Sequence, residues 1–276
     1  MRRVPSALVL FVAAVLGLGA LTAGAALAIV PLPPHPWLKP SVPHTQPAAH
    51  VGAEECQQPG VKCPDLAMRP PYQLTPDVEE GHHVLRAANA VLSIGTGPVE
   101  IRASRAGRKG LSMHAVQYVH RAGKPALRVP GDAGKVVYKR IPGQGRIWKF
   151  QNAARFELWT TGGSPRLVRI GEKLTYCLRD LRHLWSWRRS PKNAHYPACS
   201  HSARIRNVTL GTSPGWTDIY PATYYDQWIN VDGLRGCFEL VHVADPDNEI
   251  VESDETNNAA ATRVRLPMGK RTVARC

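Results

Sequence analysis

Phenols, one well-placed primary amine and a run of carboxylates are the groups in this chain whose types and spacing could do chemistry. The stretch SPGWTDIYPATYYDQWIN, Ser213 to Asn230, holds Tyr220, Tyr224 and Tyr225, two tryptophans and the Asp226–Gln227 pair, in a chain that is only 7% aromatic. Upstream, GEKLTYCLRD (171–180) carries Lys173 and Cys177. On residue types alone the tyrosine stretch reads as a turn, a short exposed segment carrying Tyr220, and a strand ending at Val231, because aromatics favour strands and SPG and YPA punctuate. A lone lysine on a strand is ordinarily solvated.

Other site chemistries find less support. Downstream, DPDNEIVESDETNN (245–258) gathers Asp245, Asp247, Glu249, Glu252, Asp254 and Glu255 with Asn248, Asn257 and Asn258. Calcium takes such oxygen ligands, but the EF-hand spacing is absent, and Asn and Asp commonly cap turns. His114, His120, His183, His195 and His201 form no close H-x-H pair. No Ser/His/Asp or Cys/His nucleophile set, P-loop or dinucleotide-binding glycine pattern is present.

Taken in order, the motifs resemble the catalytic domain of the lysyl oxidase family in its compact bacterial form. The family pattern G-x-K-x-x-x-C-L-x-D appears as Gly171, Lys173, Cys177, Leu178 and Asp180. S-x-G-W-x-D-x-Y appears as Ser213, Gly215, Trp216, Asp218 and Tyr220, and Q-W-I as Gln227, Trp228 and Ile229. The acidic run from Asp245 to Asn258 follows in the family's order, and the resemblance covers roughly residues 63–266. It implies oxidative deamination of primary amines such as protein lysine to aldehydes, by copper and a lysine tyrosylquinone formed from a lysine and a tyrosine. The motifs map that pair onto Lys173 and Tyr220.

The copper segment departs from the pattern. Where the bacterial family has H-x-H-W-H-F, this chain reads Gly145, Arg146, Ile147, Trp148, Lys149, Phe150; the following A-R-[YF]-E-L is kept as Ala154 to Leu158. Trp148 and Phe150 remain, but the ligand positions hold Gly145, Ile147 and Lys149. Glycine and isoleucine offer no donor, and a protonated lysine repels a cation that wants imidazole nitrogens. The expectation is a degenerate homologue without the family's copper site. Two alternatives stand beside it: an active copper amine oxidase with relocated histidines, and an Ig-like adhesion-type sandwich acting as a binding module.

The elements that must position these residues read as strands. Short apolar runs alternate with Gly/Pro turns at 83–94, 99–104, 114–121, 135–140, 155–161, 167–170, 173–178, 204–210, 226–231, 237–243 and 262–266. That rhythm predicts an all-β fold, a single β-sandwich-like domain with long loops, of the lysyl oxidase catalytic-domain type by resemblance. Gly95 and Gly97 are expected to supply turns with positive φ. LRDLRHLWSWRRSPK (178–192) would, as a helix, place Leu178, Leu181 and Leu184 on one face; as a loop, its Trp185 and Trp187 would pin it to the sandwich.

Residues 1–28 read as a signal peptide or an uncleaved anchor: two arginines, an apolar run, and Ala26-Leu27-Ala28. Residues 29–55 are a Pro-rich linker, and 56–276 the lysyl-oxidase-like domain. The formal charge is +14, and removing Arg2 and Arg3 with the leader leaves +12. Such a basic exported chain favours an anionic cell-surface polymer, and the family resemblance implies protein amines as the other partner; nucleic-acid motifs are absent, and the membrane is reached only through the N-terminal segment. Six cysteines in an exported chain predict disulfides, with fifteen connectivities open. Proximity suggests Cys56–Cys63. The family resemblance suggests Cys177–Cys199, which leaves Cys237 and Cys276 as the remainder.

Overall fold

The computed structural model describes residues 43–45, 53–184, 190–267 and 276, all within one unit spanning His35–Cys276. The leader, most of the Pro-rich stretch, Trp185 and Trp187 lie outside the described residues.

β-Branched and aromatic residues in short runs between glycines and prolines build sixteen strands among the described residues. They are β1 (Val61–Lys62), β2 (Leu66–Met68), β3 (Tyr72–Glu79), β4 (His82–Ser93), β5 (Val99–Ser104), β6 (Ser112–Arg121), β7 (Lys124–Arg128) and β8 (Lys135–Ile141). Then follow β9 (Gly145–Thr160), β10 (Leu167–Tyr176), β11 (Arg182–His183), β12 (Asn207–Thr212), β13 (Trp216–Tyr220), β14 (Trp228–Asn230), β15 (Gly236–Ala244) and β16 (Ala259–Leu266). No α-helix occurs among the described residues. The expected all-β domain is therefore what the chain forms.

The larger sheet runs β12-β5-β6-β8-β9-β15-β16, with β1 and β7 on β6 and β10 on β9. The smaller runs β11-β13-β4-β14, with β2 and β3 also paired to β4. Leu66, Met68, Leu85 and Val91 of the smaller sheet pack with Val99, Ile101, Trp148, Phe150 and Phe156 of the larger in one core. β6 alternates exposed and buried positions, as a half-buried strand should. The middle of β9 is buried on both faces, because it is covered by more than one layer.

β9 is the strand that makes a site possible. Its first part pairs with β8 from Gly145 to Phe150, and its second part pairs with β10 and β15 from Ala154 onward. Between them the register shifts, and Asn152 takes φ 56°. Such a bulge bends the strand and re-aims the side chains before it.

Several expectations need correction. Tyr220 does not sit on an exposed segment: Trp216–Tyr220 is the buried strand β13, paired with β4. Gly95 and Gly97 do not have positive φ. They are glycines because a Cβ would lie 2.5 Å from the Cys63 carbonyl oxygen and 2.1 Å from that of Lys62, respectively. Of the helix and the loop left open for 178–192, the described residues 178–184 fit the loop, with Arg182–His183 forming β11 against β13. Within the Pro-rich stretch, the Thr45 amide donates to Glu157 Oε2 at 3.1 Å, and its carbonyl accepts from Arg155 at 2.7 Å.

Three disulfides join Cys56–Cys63, Cys177–Cys199 and Cys237–Cys276. The second ties the end of β10 to the loop before β12.

Candidate functional site

The two sheets meet around Tyr220. Tyr220 closes β13 as part of the main core, is 4% exposed, and lies opposite Asn89 of β4. Its ring stacks on Tyr176 of β10, centroids 3.9 Å apart, and stands edge-on to Tyr224 at 5.1 Å. Its hydroxyl donates to Asp218 Oδ2 at 2.8 Å and accepts the Cys177 amide at 2.6 Å. Burial, with the Asp218 charge adding to it, drives the Tyr220 hydroxyl well above the usual phenol range.

Asp218 is the single carboxylate at the centre. It also accepts the Leu178 amide at 3.2 Å and lies 3.8 Å from the Arg179 guanidinium. Burial lifts its pKa to about 6, against the opposing pull of the Tyr220 hydroxyl and of Arg179, Lys149 and the Leu178 amide. At neutral pH it is still mainly ionised.

The amine lying over the Tyr220 ring is Lys149, at 5.0 Å from the ring centroid. Lys149 projects from β9 just before the bulge, is 1% exposed, and donates to the Tyr224 hydroxyl at 3.0 Å. Burial brings its pKa down to about 7; Lys139 and Arg179 push the same way, while Asp218 and Asp226 resist. A cavity of about 310 Å³ is lined by Lys149, Ile147, Asp218, Tyr220, Tyr224, Arg179 and His201, among others. Thus Ile147 and Lys149 share one cavity with Tyr220, whereas Gly145 stands exposed at the start of β9.

Lys173 is placed elsewhere. It lies on β10 opposite Arg155, and its ammonium pairs with Asp247 at 2.5 Å with the side chain 39% exposed. Its hydrogen bond goes to Asp247 and not to Tyr220, whose oxygen is occupied by Asp218 and Cys177.

The motif residues around the pair act as struts. Asp180 accepts the Ser213 amide at 2.7 Å and hydroxyl at 2.8 Å, and the His195 amide at 2.8 Å. Gln227 accepts from Asn89 and, at 3.5 Å, from Tyr176. Asp245 caps the amides of Glu249 at 3.0 Å and Ile250 at 2.7 Å. Tyr176 and His242 escaped sequence reasoning. His242 is fully buried, 3.1 Å from the Tyr176 hydroxyl and packed on Phe156, and burial alone takes its pKa down to about 3. The only available signal was a histidine at a core position of the apolar run CFELVHV.

Copper does not fit the residues present. The donor set at the family positions is a bare glycine, a hydrocarbon and an amine that is half protonated at neutral pH. His114 pairs with Asp132, His120 with Glu100 and His183 with Ser190, each in a different place. Among the described residues no group of three His, Cys, Asp or Glu side chains converges as a metal site.

The family model described as Lysyl oxidase matches residues 148–276. The match includes Lys149, Lys173 and Tyr220, and Gly145 and Ile147 precede it. No curated protein matches the chain in sequence. The strand framework, the motif residues that brace Tyr220 and this match agree in supporting membership of the lysyl oxidase family over residues 148–276.

Proposed function

We propose that this is an exported lysyl-oxidase-family protein that has lost copper- and quinone-dependent oxidation of primary amines and acts by binding. The observation that carries the reading is Lys149: an amine takes one of the family's copper positions and lies directly over Tyr220. A cation there disfavours a second cation, and neither Gly145 nor Ile147 offers a ligand. Without the metal, Lys173 and Tyr220 stay ordinary side chains, and their bonds to Asp247, Asp218 and Cys177 are those of a settled fold. Export is supported by the leader-like N-terminus and three disulfides. The basic mature chain suits an anionic cell-surface polymer or the surface of a protein.

Mature protein incubated with copper and dialysed should contain no stoichiometric copper. It should show no visible quinone absorbance and release no peroxide from a primary amine. Colour with turnover would overturn the reading. A variant carrying Gly145→His, Ile147→His and Lys149→His should take up copper if these positions still surround an ancestral cage. Failure of that variant to bind copper would argue for a sandwich that never held one.

A further inference from the structure

From the geometry we infer that the cavity beside Tyr220 binds a small 2-oxo acid, with Lys149 forming a reversible imine with its keto carbon and Arg179 holding its carboxylate. The inference rests on the reading that Lys149 has replaced a metal ligand and gives the emptied site an occupant.

Three features carry it. The Lys149 amine lines a cavity of about 310 Å³, room for a ligand of a few heavy atoms. The hydrogen-bond partner of that amine is the neutral phenol of Tyr224, not a carboxylate. The charges facing it are Asp218 from β13, Arg179 from the segment after β10, and the Lys139–Asp226 ion pair, 2.5 Å apart, from β8 and the segment before β14. Among the described residues, Arg179 and Lys149, the latter positive in its ammonium form and again as an iminium, line the cavity with the one carboxylate of Asp218. An anionic ligand restores the balance, and a guanidinium recognises a carboxylate through paired N–H donors. The Tyr220 and Tyr224 hydroxyls are raised, the latter to about 12, so neither phenol supplies a compensating negative charge near neutrality.

The chemistry balances without an oxidant. The Lys149 nitrogen lone pair attacks the keto carbon and gives a carbinolamine. The oxygen then leaves as water, with protons drawn from the amine nitrogen and the medium, and a C=N bond replaces C=O. Asp218, titrating near 6, is placed to carry a proton during dehydration. An amine titrating near 7 has about a thousandfold more free base at neutral pH than an ordinary lysine.

Pyruvate with cyanoborohydride, which reduces an imine to a stable amine, tests this on the intact protein, with peptide mapping as the readout. At pH 7 Lys149 should be alkylated at least about tenfold faster than exposed Lys173 in the same molecule. Arg179→Gln should slow labelling by pyruvate several-fold more than labelling by the neutral carbonyl propanal, which feels only the rise in the Lys149 pKa that follows loss of the Arg179 charge. The inference is overturned if Lys149 labels no faster than Lys173, or if Arg179→Gln slows both reagents equally or neither. Copper analysis of the same preparation keeps the two readings apart. Copper-free protein that gives no Lys149 adduct sinks only the 2-oxo acid site, whereas stoichiometric copper sinks the loss of oxidase chemistry.

Discussion

Tyr220 is a structural tyrosine as much as a family one. Its hydroxyl satisfies the buried Cys177 amide and Asp218 at once. Tyr220→Phe strands the Cys177 amide and takes one donor from Asp218, which keeps the Leu178 amide, and leaving a buried polar group without its partner costs about 1–3 kcal/mol. Urea denaturation should show that loss; an unchanged midpoint would mean the hydroxyl is dispensable to the fold. Asp218→Asn acts on Lys149 instead. The Asp218 charge favours the ammonium form of Lys149, so its removal should lower the Lys149 pKa below 7. The pH profile of reductive alkylation at Lys149 should then shift to lower pH; a shift upward would contradict the assigned electrostatics. At this scale the sequence disclosed that positions 145, 147 and 149 carry no imidazole, because donor chemistry is a property of residue type. It did not disclose that Lys149, rather than Lys173, lies over Tyr220. That depends on the bulge at Asn152, which no local pattern announces.

Strands were the most legible elements. Val99–Ser104 was read in full, and the apolar runs of β4, β6, β8 and β15 lie almost entirely within their strands. Two runs, 167–170 and 173–178, proved to be one strand, β10, carried through Gly171 with shifts in register. β3 was missed because its Pro76 argues against a strand; it lies beside β4, where a missing donor is tolerated. The start of β9 shows no alternation because Gly145 and Arg146 are both exposed and Ile147 to Phe150 are all buried, with both faces covered. Gly97 shows a different limit. Sequence suggested a turn glycine, but the structure requires close backbone approach, since a Cβ would overlap the Lys62 carbonyl. Gly97→Ala should therefore cost about 1–3 kcal/mol by overpacking. Gly123→Ala, at φ 64° with open space around it, should cost about 1 kcal/mol or less, because only the backbone conformation resists it. Parallel denaturation curves test the order of the two; Gly123→Ala as the costlier change would reverse the assignment of cause.

For the molecule as a whole, buried titratable groups set the pH at which the sandwich is most stable. Burial raises Asp65 and Asp218 to about 6 and Asp245 to about 8, and it raises Glu252. Each binds its proton more tightly folded than unfolded, so each removes stability as pH rises from near 4 towards its folded pKa. His242, lowered to about 3 by burial, works in the other direction: the unfolded chain takes a proton below about 6.5 while the folded one does not, so stability falls as pH falls. Glu100 is held near 2 despite its burial, by hydrogen bonds from His120, Tyr196 and Arg102. It adds to the acid limb, since its stabilisation is lost as pH falls through 4.5 towards 2. Between pH 4.5 and 6 the four raised carboxyls outweigh the one imidazole. The urea midpoint should therefore peak on the acid side of neutrality, near pH 4.5. Asp245→Asn removes one falling term, so it should gain on the wild type between pH 5 and 8, by at most about 1.4 kcal/mol per pH unit. His242→Phe should gain on the wild type as pH drops from 6.5 to 3, whatever the loss of the Tyr176 contact costs at neutral pH. A midpoint that climbs steadily to pH 7 in the wild type, with both variants running parallel to it, would mean that these groups are solvated and the interior is wetter than the packing implies.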